Sequence, residues 1–249
     1  MSEKVQARPP RVLVPDLAER LARPEEHQKI SLKAEEREHV RSRRLRDGDE
    51  VVALDGKGAR ARAVLVGGGS AIALLPSKKI FSSSRLPGEP ANRVVVALAC
   101  AEPARIEWAI EKGTECGAAG FVLLDAERSQ RAHVAALAKR IPRLVRISEE
   151  ATKQCDRTLV PFVEGPKSTE EFLRRVKGER VLVADVGGAP LPEPSGGAAV
   201  VVIGPEGGFA PAELNLFEGK GALRTSLGAR ILRLETAVVV ALALLVDRD

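Results

Sequence analysis

Aromatic side chains are scarce in this chain of 249 residues. Phe, Trp and Tyr together make up 3% of it, with no tyrosine and one tryptophan, Trp108. Many proteins that hold unstacked nucleobases stack them on aromatic side chains. This chain supplies few such platforms, so a base-binding pocket in it would rely on apolar walls and hydrogen bonds. The apolar content of 44% and charged content of 29% are those of a globular protein.

Cysteine and histidine are also scarce. The three cysteines are widely spaced, form no C-x-x-C pair and have no histidine close by in the sequence. An odd, scattered set of cysteines argues against a disulfide framework and against a zinc site. We therefore expect no bound metal, and a cytoplasmic location in which thiols stay reduced. The residues concerned are Cys100, Cys116, Cys155, His27, His39 and His133.

Segments that would cross or enter a membrane are missing from the sequence. The longest apolar run, residues 236–246, is well short of the roughly 20 residues that a membrane-spanning helix needs. The first residues, Met-Ser-Glu-Lys, lack the apolar segment of a signal peptide. We expect a buried helix at 236–246 and no membrane partner.

The usual nucleotide-binding motifs are absent too. No Walker A motif occurs, which argues against a P-loop NTPase. Residues 56–61 nearly match the dinucleotide fingerprint G-x-G-x-x-G/A, but that fingerprint must be followed by a helix. The residues that follow alternate between polar and apolar as in a strand, so we interpret this segment as a hairpin turn.

The positive charge is concentrated in the first third of the chain. Lys and Arg outnumber Asp and Glu by 18 to 13 in residues 1–90, and the counts are equal, 21 to 21, in residues 91–249. A basic module joined to a neutral one is typical of a polyanion-binding region beside a catalytic domain. The alternative is a solvated face with incidental basic residues. Five arginines carry much of the local excess and are our candidates for RNA contacts: Arg41, Arg44, Arg46, Arg60 and Arg62.

The chain divides into two patterned regions. Residues 1–80 contain short strands joined by Gly and Asp turns, which is typical of a small barrel or sandwich. We expect these strands at 50–54, 60–66 and 71–75, preceded by a helix at 34–44. Residues 81–92 are polar and contain two prolines, as in a linker. Residues 93–249 alternate between Val-, Ala- and Leu-rich strands and helices, which predicts an α/β domain with a parallel sheet covered on both faces. We expect strands at 93–99, 121–124, 180–185 and 198–203, helices at 103–116, 133–139, 147–156, 170–176 and 211–218, and a loop at 187–197.

The most informative motif is the first loop, residues 204–209, which follows the apolar strand 198–203. Gly207 and Gly208 permit unusual dihedral angles and close approach of a ligand to the backbone. Such a loop between a strand and a helix offers bare backbone groups to a small ligand. Burial of Glu206 there would be costly unless a cation or donor were nearby, and we expect Arg230 or Arg233 to serve.

The second loop, residues 226–236, leads into the last helix. Arg230 and Arg233 lie in a largely apolar stretch and therefore need acceptors such as a carboxylate, a phosphate or an RNA backbone. Glu235 or Thr236 would cap the helix. The alternative is that these charges serve only helix capping and an internal ion pair.

Together, the two loops resemble those of the RsmE family, bacterial 16S rRNA uridine-N3 methyltransferases of the SPOUT superfamily. Segments upstream agree with the resemblance, at residues 111–117, 127–129 and 150–161. Residues 39–49 resemble the start of the family's PUA-like RNA-binding domain. The resemblance covers nearly the whole chain, and its two long motifs occur in the family's order.

The resemblance implies a small N-terminal PUA-like β-barrel domain in residues 1–80 and a C-terminal trefoil-knotted SPOUT methyltransferase domain in residues 93–249. It further implies S-adenosylmethionine (SAM) as cofactor, 16S rRNA of the small ribosomal subunit as substrate, and a homodimer. Arg128 is implied as a further RNA contact. The implied cofactor-binding residues are Ile203, Gly204, Pro205, Glu206, Gly207, Gly208, Leu227, Gly228, Ala229, Ile231 and Leu232.

Methyl transfer to uridine N3 would also need charged groups. Arg230 and Arg233 are candidates for stabilising the uridine anion or binding a phosphate, and Glu206 and Glu235 are candidates for accepting the N3 proton or for anchoring an arginine. Two other functions remain open at this level. One is methylation of another RNA or of a ribose 2′-O position, and the other is a non-catalytic RNA-binding assembly protein.

Overall fold

The structure, a computed structural model, describes residues 8–23, 29–75, 86, 88–192 and 197–246. It divides into two compact units, one of Met1–Glu89 with Lys153–Leu159 and the other of Pro90–Thr152 with Val160–Asp249. Half of the predicted linker, residues 81–85 and 87, lies outside the described residues, as do His27 and residues 1–7. Assigning all of 93–249 to one domain missed the segment Lys153–Leu159, which belongs with the first unit.

The first unit is built on a five-stranded mixed sheet with the strand order β1-β3-β4-β5-β2. Strand β1 runs parallel to β3, and the other neighbouring pairs are antiparallel. The sequence predicted β3, β4 and β5 and a helix at 34–44, whereas β1, β2 and α1 were not expected. The elements are β1 (Arg11–Leu13), α1 (Leu17–Leu21), β2 (Ile30–Ser31), α2 (Ala34–Ser42), β3 (Glu50–Leu54), β4 (Arg60–Val66) and β5 (Ala71–Leu74).

The segment 56–61 contains the predicted hairpin turn, in which residues 55–59 connect β3 to β4. The Asp55 carboxylate accepts hydrogen bonds from the backbone N–H groups of Lys57, at 2.7 Å, and Ala59, at 2.8 Å. Strand β4 follows at Arg60 and pairs antiparallel with β3. No helix N-terminus is present here to bind a pyrophosphate, so the resemblance to the dinucleotide fingerprint is incidental.

Buried ion pairs fasten the segment Lys153–Leu159 within the first unit. Glu89 pairs with Arg157 at 2.7 Å and accepts the N–H groups of Thr158 and Leu159 at 2.7 and 2.8 Å. Lys153 pairs with the buried carboxylate of Glu36 at 2.8 Å. Buried charges persist only when they are paired in this way, so these contacts explain why the segment belongs to the first unit.

The second unit is a six-stranded sheet with the order β11-β9-β10-β6-β7-β8, and every neighbouring pair is parallel. Its strands are β6 (Arg93–Ala99), β7 (Gly120–Asp125), β8 (Phe162–Ser168), β9 (Arg180–Pro190), β10 (Ala198–Ile203) and β11 (Leu223–Ser226). Its helices are α3 (Pro103–Glu115), α4 (Arg131–Ala138), α5 (Ile141–Cys155, of which residues 153–155 belong to the first unit), α6 (Thr169–Arg175), α7 (Pro211–Gly219) and α8 (Leu234–Leu245).

Both faces of this sheet are buried, as predicted. Val94, Val96 and Leu98 of β6 lie in one apolar core together with residues of α3 and α8. The alternate residues Val95 and Ala97 lie in a second core with residues of α6 and α7. Because successive side chains of a strand point to opposite faces, uninterrupted apolar strands require helices on both sides.

Three features of the second unit differ from the prediction. Edge strands β8 and β11 were missed because they are polar. Strand β8 also contains Gly165, which weakens a strand pattern, and Pro166, which sheets accept mainly in edge strands. Strand β9 continues to Pro190 through residues predicted to form a loop. Helix α5 begins at Ile141 rather than at 147, since Pro142 is tolerated in a first turn.

Helix α8 contains the predicted apolar run as far as Leu245, and one face of the helix is buried in the second unit, through Leu234, Ala237, Val238, Ala241, Leu242 and Leu245. Across the described ranges of the chain, none of the helices combines the length and apolar character needed to cross a membrane.

Candidate functional site

The two glycine loops lie at the same edge of the parallel sheet. The first loop follows Ile203, the last residue of β10, and the second begins at Ser226, the last residue of β11. Carboxyl ends of parallel strands meet at one edge of a sheet, which is where α/β proteins bind ligands. A cavity of about 800 Å³ opens at this edge.

Most residues predicted to bind a cofactor line this cavity. Ala229 is the exception, since it is exposed and does not line it. The predicted residues at the wall are Ile203, Gly204, Pro205, Glu206, Gly207, Gly208, Leu227, Gly228, Ile231 and Leu232, and Arg230 and Arg233 also line it. Residues not predicted include Glu102, Arg105, Ala184, Asp185, Val186, Phe209, Leu214, Leu234 and Ala237.

A tight turn and an aromatic anchor shape the first loop. The Gly208 N–H donates to the Pro205 carbonyl at 2.8 Å, and Gly208 has a φ of 69°, which favours glycine. Phe209 is buried and packs edge-on against Phe217, with ring centroids 5.1 Å apart. A side chain at Gly204 would meet the Phe209 ring at 3.1 Å, so glycine permits this close packing.

Glu213, in the first turn of α7, fixes the end of the first loop. Its buried carboxylate accepts hydrogen bonds from the Ala210 N–H at 3.0 Å, the Thr169 hydroxyl at 2.8 Å and the Glu127 N–H at 3.1 Å. One side chain thus joins the first loop to the ends of two neighbouring strands.

Arg128, predicted to contact RNA, also touches the first loop. Its Nη1 donates to the Gly207 carbonyl oxygen at 2.6 Å, and its side chain is exposed. A role in binding RNA stays a prediction, and the observed contact stabilises the loop conformation.

The environment of Glu206 differs from the prediction. Its side chain is 58% exposed rather than buried, and its ion-pair partner is Arg105 rather than Arg230 or Arg233. Arg105, in the first turn of α3, also pairs with Glu235, through Nε at 2.8 Å and Nη2 at 2.7 Å. The costly burial argued from the sequence therefore does not arise for Glu206.

Glu235 lies in the first turn of α8 and does not cap it, since the helix begins at Leu234 with Arg233 as its N-cap residue. Burial by itself would raise the pKa of Glu235, but the hydrogen bond from Arg105 and the charges of Arg105 and Arg233 hold it below its ordinary value. The same hydrogen bond raises the pKa of Arg105. At neutral pH, Glu235 is therefore ionised and is a weak proton acceptor.

Arg230 and Arg233 remain open to solvent at the cavity. Both side chains are exposed. Arg230 has no hydrogen bond or ion pair with any residue that the structure describes, so its guanidinium is available to an anionic ligand.

The candidate RNA-binding arginines of the first unit fall into two groups. Arg41, Arg44 and Arg46 are exposed, and their guanidinium groups have no carboxylate partner among the residues described there, although the Arg46 backbone N–H donates to Asp49 at 2.8 Å. Arg62 pairs with Glu50 at 2.6 Å, and Arg60 lies 3.5 Å from Asp156. The first group is therefore freer to meet a polyanion.

The sequence reasoning missed Arg105 and Glu213. Arg105 follows the carboxyl end of strand β6, at the edge where the two loops also lie, and charged residues at such positions are a usable signal. Glu213 occurs three residues after Ala210 at the start of α7, a spacing typical of a carboxylate that caps a helix N-terminus.

A family model described as an RNA methyltransferase domain matches residues 88–246. The fold and the two-loop cavity thus occur in a chain of the RNA methyltransferase class. In the described part of the chain, no group of three or more His, Cys, Asp or Glu residues is arranged to hold a metal ion.

Comparison with individual relatives identifies the family within this class. Ribosomal RNA small subunit methyltransferase E of Mycobacterium bovis is 35% identical over 80% of this chain and 79% of its own. The protein of the same description from Bacillus subtilis is 29% identical over 88% of this chain and 90% of its own. The chain belongs to the ribosomal RNA small subunit methyltransferase E family, RsmE.

Two solved structures share the fold. A protein from Legionella pneumophila, described as a methyltransferase in complex with SAM, superposes with a TM-score of 0.80 and is 26% identical, with 95% of this chain and 96% of that chain covered. Ribosomal RNA small subunit methyltransferase E of Neisseria gonorrhoeae, bound to SAM, has a TM-score of 0.79 at 24% identity, with the same coverage.

Proposed function

We propose that the protein is a SAM-dependent methyltransferase that modifies N3 of a uridine in 16S rRNA of the small ribosomal subunit. The observation that carries the proposal is the cavity between two glycine loops at the carboxyl edge of the parallel sheet, in a chain of the RsmE family. Its volume of about 800 Å³ suits a ligand of the size of a nucleoside derivative.

The residues at the cavity fit SAM. A side chain added at Gly208 or Gly228 would meet no atom within 4 Å, and one at Gly207 would meet only Arg128, at 3.7 Å. Backbone groups there are accessible, and Leu227, Ile231 and Leu232 would supply apolar surface for an adenine ring. When bound, SAM supplies an electrophilic methyl group on its sulfonium sulfur.

The charged residues divide into two roles in this proposal. Glu206 and Glu235 hold Arg105, and the lowered pKa of Glu235 makes it a poor acceptor for the N3 proton. Arg230 and Arg233 face solvent at the cavity and would stabilise negative charge on the uridine as its N3 proton is lost.

The target base must leave its pair for this chemistry, because N3 lies on the Watson–Crick edge. We assign RNA capture to the first unit, as a PUA-like barrel domain. The mixed five-stranded sheet and the exposed Arg41, Arg44 and Arg46 support that assignment. Their charges would contact phosphates and fix the position of the RNA.

A homodimer, a trefoil knot and a cytoplasmic location complete the proposal. Exposed Trp108 of α3 and Leu244 of α8 lie on two helices that pack together, which supports an apolar subunit interface. After β11 at the sheet edge the chain returns to α8, which packs against α3, β6 and β10, and this path supports a knot. A ribosomal substrate would be met in the cytoplasm.

The direct test is methylation of 30S particles from a strain lacking the modification, with SAM labelled in its methyl group, followed by mapping of the modified nucleotide. We expect label on N3 of one uridine of 16S rRNA. Label on a ribose 2′-O position or on another RNA would refute the assigned target. No transfer, together with RNA binding, would favour an assembly protein.

A further inference from the structure

Arg105 contacts both glycine loops with one guanidinium group. Its Nη1 pairs with Glu206 of the first loop, and its Nε and Nη2 lie 2.8 and 2.7 Å from the Glu235 carboxylate of the second loop. In the part of the chain that the structure describes, no other side chain bonds to both loops. The two contacts join residues that are 101 and 130 positions away from Arg105 in the sequence.

The position of Arg105 suits this bridge. Helix α3 begins at Pro103, directly after the carboxyl end of β6, so its first turn lies at the edge of the sheet where both loops emerge. The Arg105 side chain is 23% exposed, and it lines the cavity. A planar guanidinium can hold two carboxylates in a fixed geometry, which a lysine ammonium does much less well.

Without this cation the two loops would repel each other. Glu206 and Glu235 both direct a carboxylate at the same guanidinium, so its removal leaves two like charges facing one site. Like charges at such separations are unfavourable, most of all where burial limits screening by water. Glu235 is 16% exposed, so its charge is screened less than that of Glu206, which is 58% exposed.

We propose that Arg105 is a positioning residue that holds the two loops at the spacing that binds SAM. This inference rests on the proposed function, because it concerns the cofactor cavity. Arg105 acts through Glu206 and Glu235 rather than on the reacting atoms. Its Nη1 and Nε donate hydrogen bonds to these two carboxylates, and its buried Nη2 lies 2.7 Å from Glu235 without forming a hydrogen bond. Its loss is expected to weaken cofactor binding more than it slows methyl transfer at saturating cofactor.

The test measures binding of S-adenosylhomocysteine by calorimetry, and KM for SAM and kcat in the methylation assay. For Arg105→Gln we expect Kd and KM to rise roughly 10- to 100-fold while kcat changes much less. Arg105→Lys should recover part of the lost cofactor affinity, because lysine restores the positive charge but not the planar guanidinium that can hold two carboxylates. As a matched control, Arg143→Gln removes an arginine that pairs with Glu107 of α3 at 2.7 Å, outside the cavity, and should leave Kd unchanged.

A double-mutant cycle separates positioning from a general loss of stability. If Arg105 acts through Glu206, the double variant Arg105→Gln/Glu206→Gln should lose less binding free energy for S-adenosylhomocysteine than the losses of the two single variants add up to. Glu206 is exposed, so Glu206→Gln tests the bridge even if replacement of Arg105 prevents folding. Unchanged Kd in both single variants, or strictly additive effects, would overturn the inference.

The proposed function is tested separately by the wild-type protein. If wild type binds S-adenosylhomocysteine and methylates 30S particles while the Arg105 and Glu206 variants match it, only the positioning role fails. If wild type binds neither S-adenosylhomocysteine nor SAM, the cofactor assignment fails, and the positioning role fails with it.

Discussion

Replacement of Glu213 by glutamine tests how the first loop is held in place. Glu213 Oε1 accepts from the Thr169 hydroxyl and the Glu127 N–H, and Oε2 accepts from the Ala210 N–H. Glutamine has nearly the same shape but only one oxygen. In either orientation of its amide, an NH₂ group therefore faces at least one of these donors.

The magnitude follows from the lost bonds. A hydrogen bond to a charged acceptor contributes about 1.5–3 kcal/mol, and a buried donor left unsatisfied costs about 1–3 kcal/mol. Because these terms overlap, we expect Glu213→Gln to reduce the free energy of unfolding by roughly 2–4 kcal/mol. For a chain of this size that lowers the melting temperature by roughly 5–15 °C.

The assay is thermal unfolding followed by circular dichroism, with Glu218→Gln as the matched control. Glu218 lies on the same helix but is exposed, and it is 3.6 Å from Arg224. Its replacement should change the melting temperature by no more than about 2 °C, since exposed ion pairs contribute little. Equal melting temperatures for the two variants would refute the role assigned to Glu213.

Three further predictions concern the cavity, the first unit and pH. Gly207→Val should raise the Kd for S-adenosylhomocysteine about 10- to 100-fold, because its side chain would occupy space that the ligand needs and such overpacking costs about 1–3 kcal/mol. Gly219→Val, at the exposed end of α7, should leave this Kd unchanged. Calorimetry on both variants tests the prediction. Arg44→Gln should weaken RNA binding and reduce its salt dependence more than Arg62→Gln does, because Arg62 already pairs with Glu50. Equal effects of the two substitutions in a filter-binding titration would contradict this. Although burial raises the pKa of Glu235, its arginine partner lowers it below the ordinary 4.5, so the stability that its carboxylate adds is present above that value and is lost as pH falls through the lower folded value. The melting-temperature difference between wild type and Glu235→Gln should therefore be constant above about pH 6 and shrink below pH 4.5; a difference that grows in acid would show that the pairing has been misread.

Local sequence signals predicted the elements that carry the site. The bounds of β6 and β10 agree with the prediction, and α3 and α7 begin at the predicted prolines. These signals are strong because uninterrupted Val, Ala and Leu runs mark buried parallel strands, and proline favours the first turn of a helix. The edge strands β8 and β11 carry no comparable pattern. Each pairs with only one neighbouring strand and packs only part of one face, so fewer of its positions have to be apolar.

The two glycine loops were also identifiable, and with them the family. Their glycines have a local cause, because residues such as Gly208 and Gly228 adopt positive φ values that other residues rarely accept. The burial and the partner of Glu206 were predicted wrongly. Both depend on which helix begins beside the loop, and that is set by the order of strands in the sheet.

By itself, the sequence determined the α/β class of the second unit, the positions of both loops and the excess of positive charge in the first third of the chain. Only the tertiary structure decided that Arg105 joins Glu206 to Glu235, that Glu213 anchors the first loop, and that Lys153–Leu159 belongs with the first unit. The reason is physical. Periodicity and turn chemistry act between near neighbours in the chain, whereas an ion pair between residues more than 100 positions apart depends on the topology that brings strand ends to one edge.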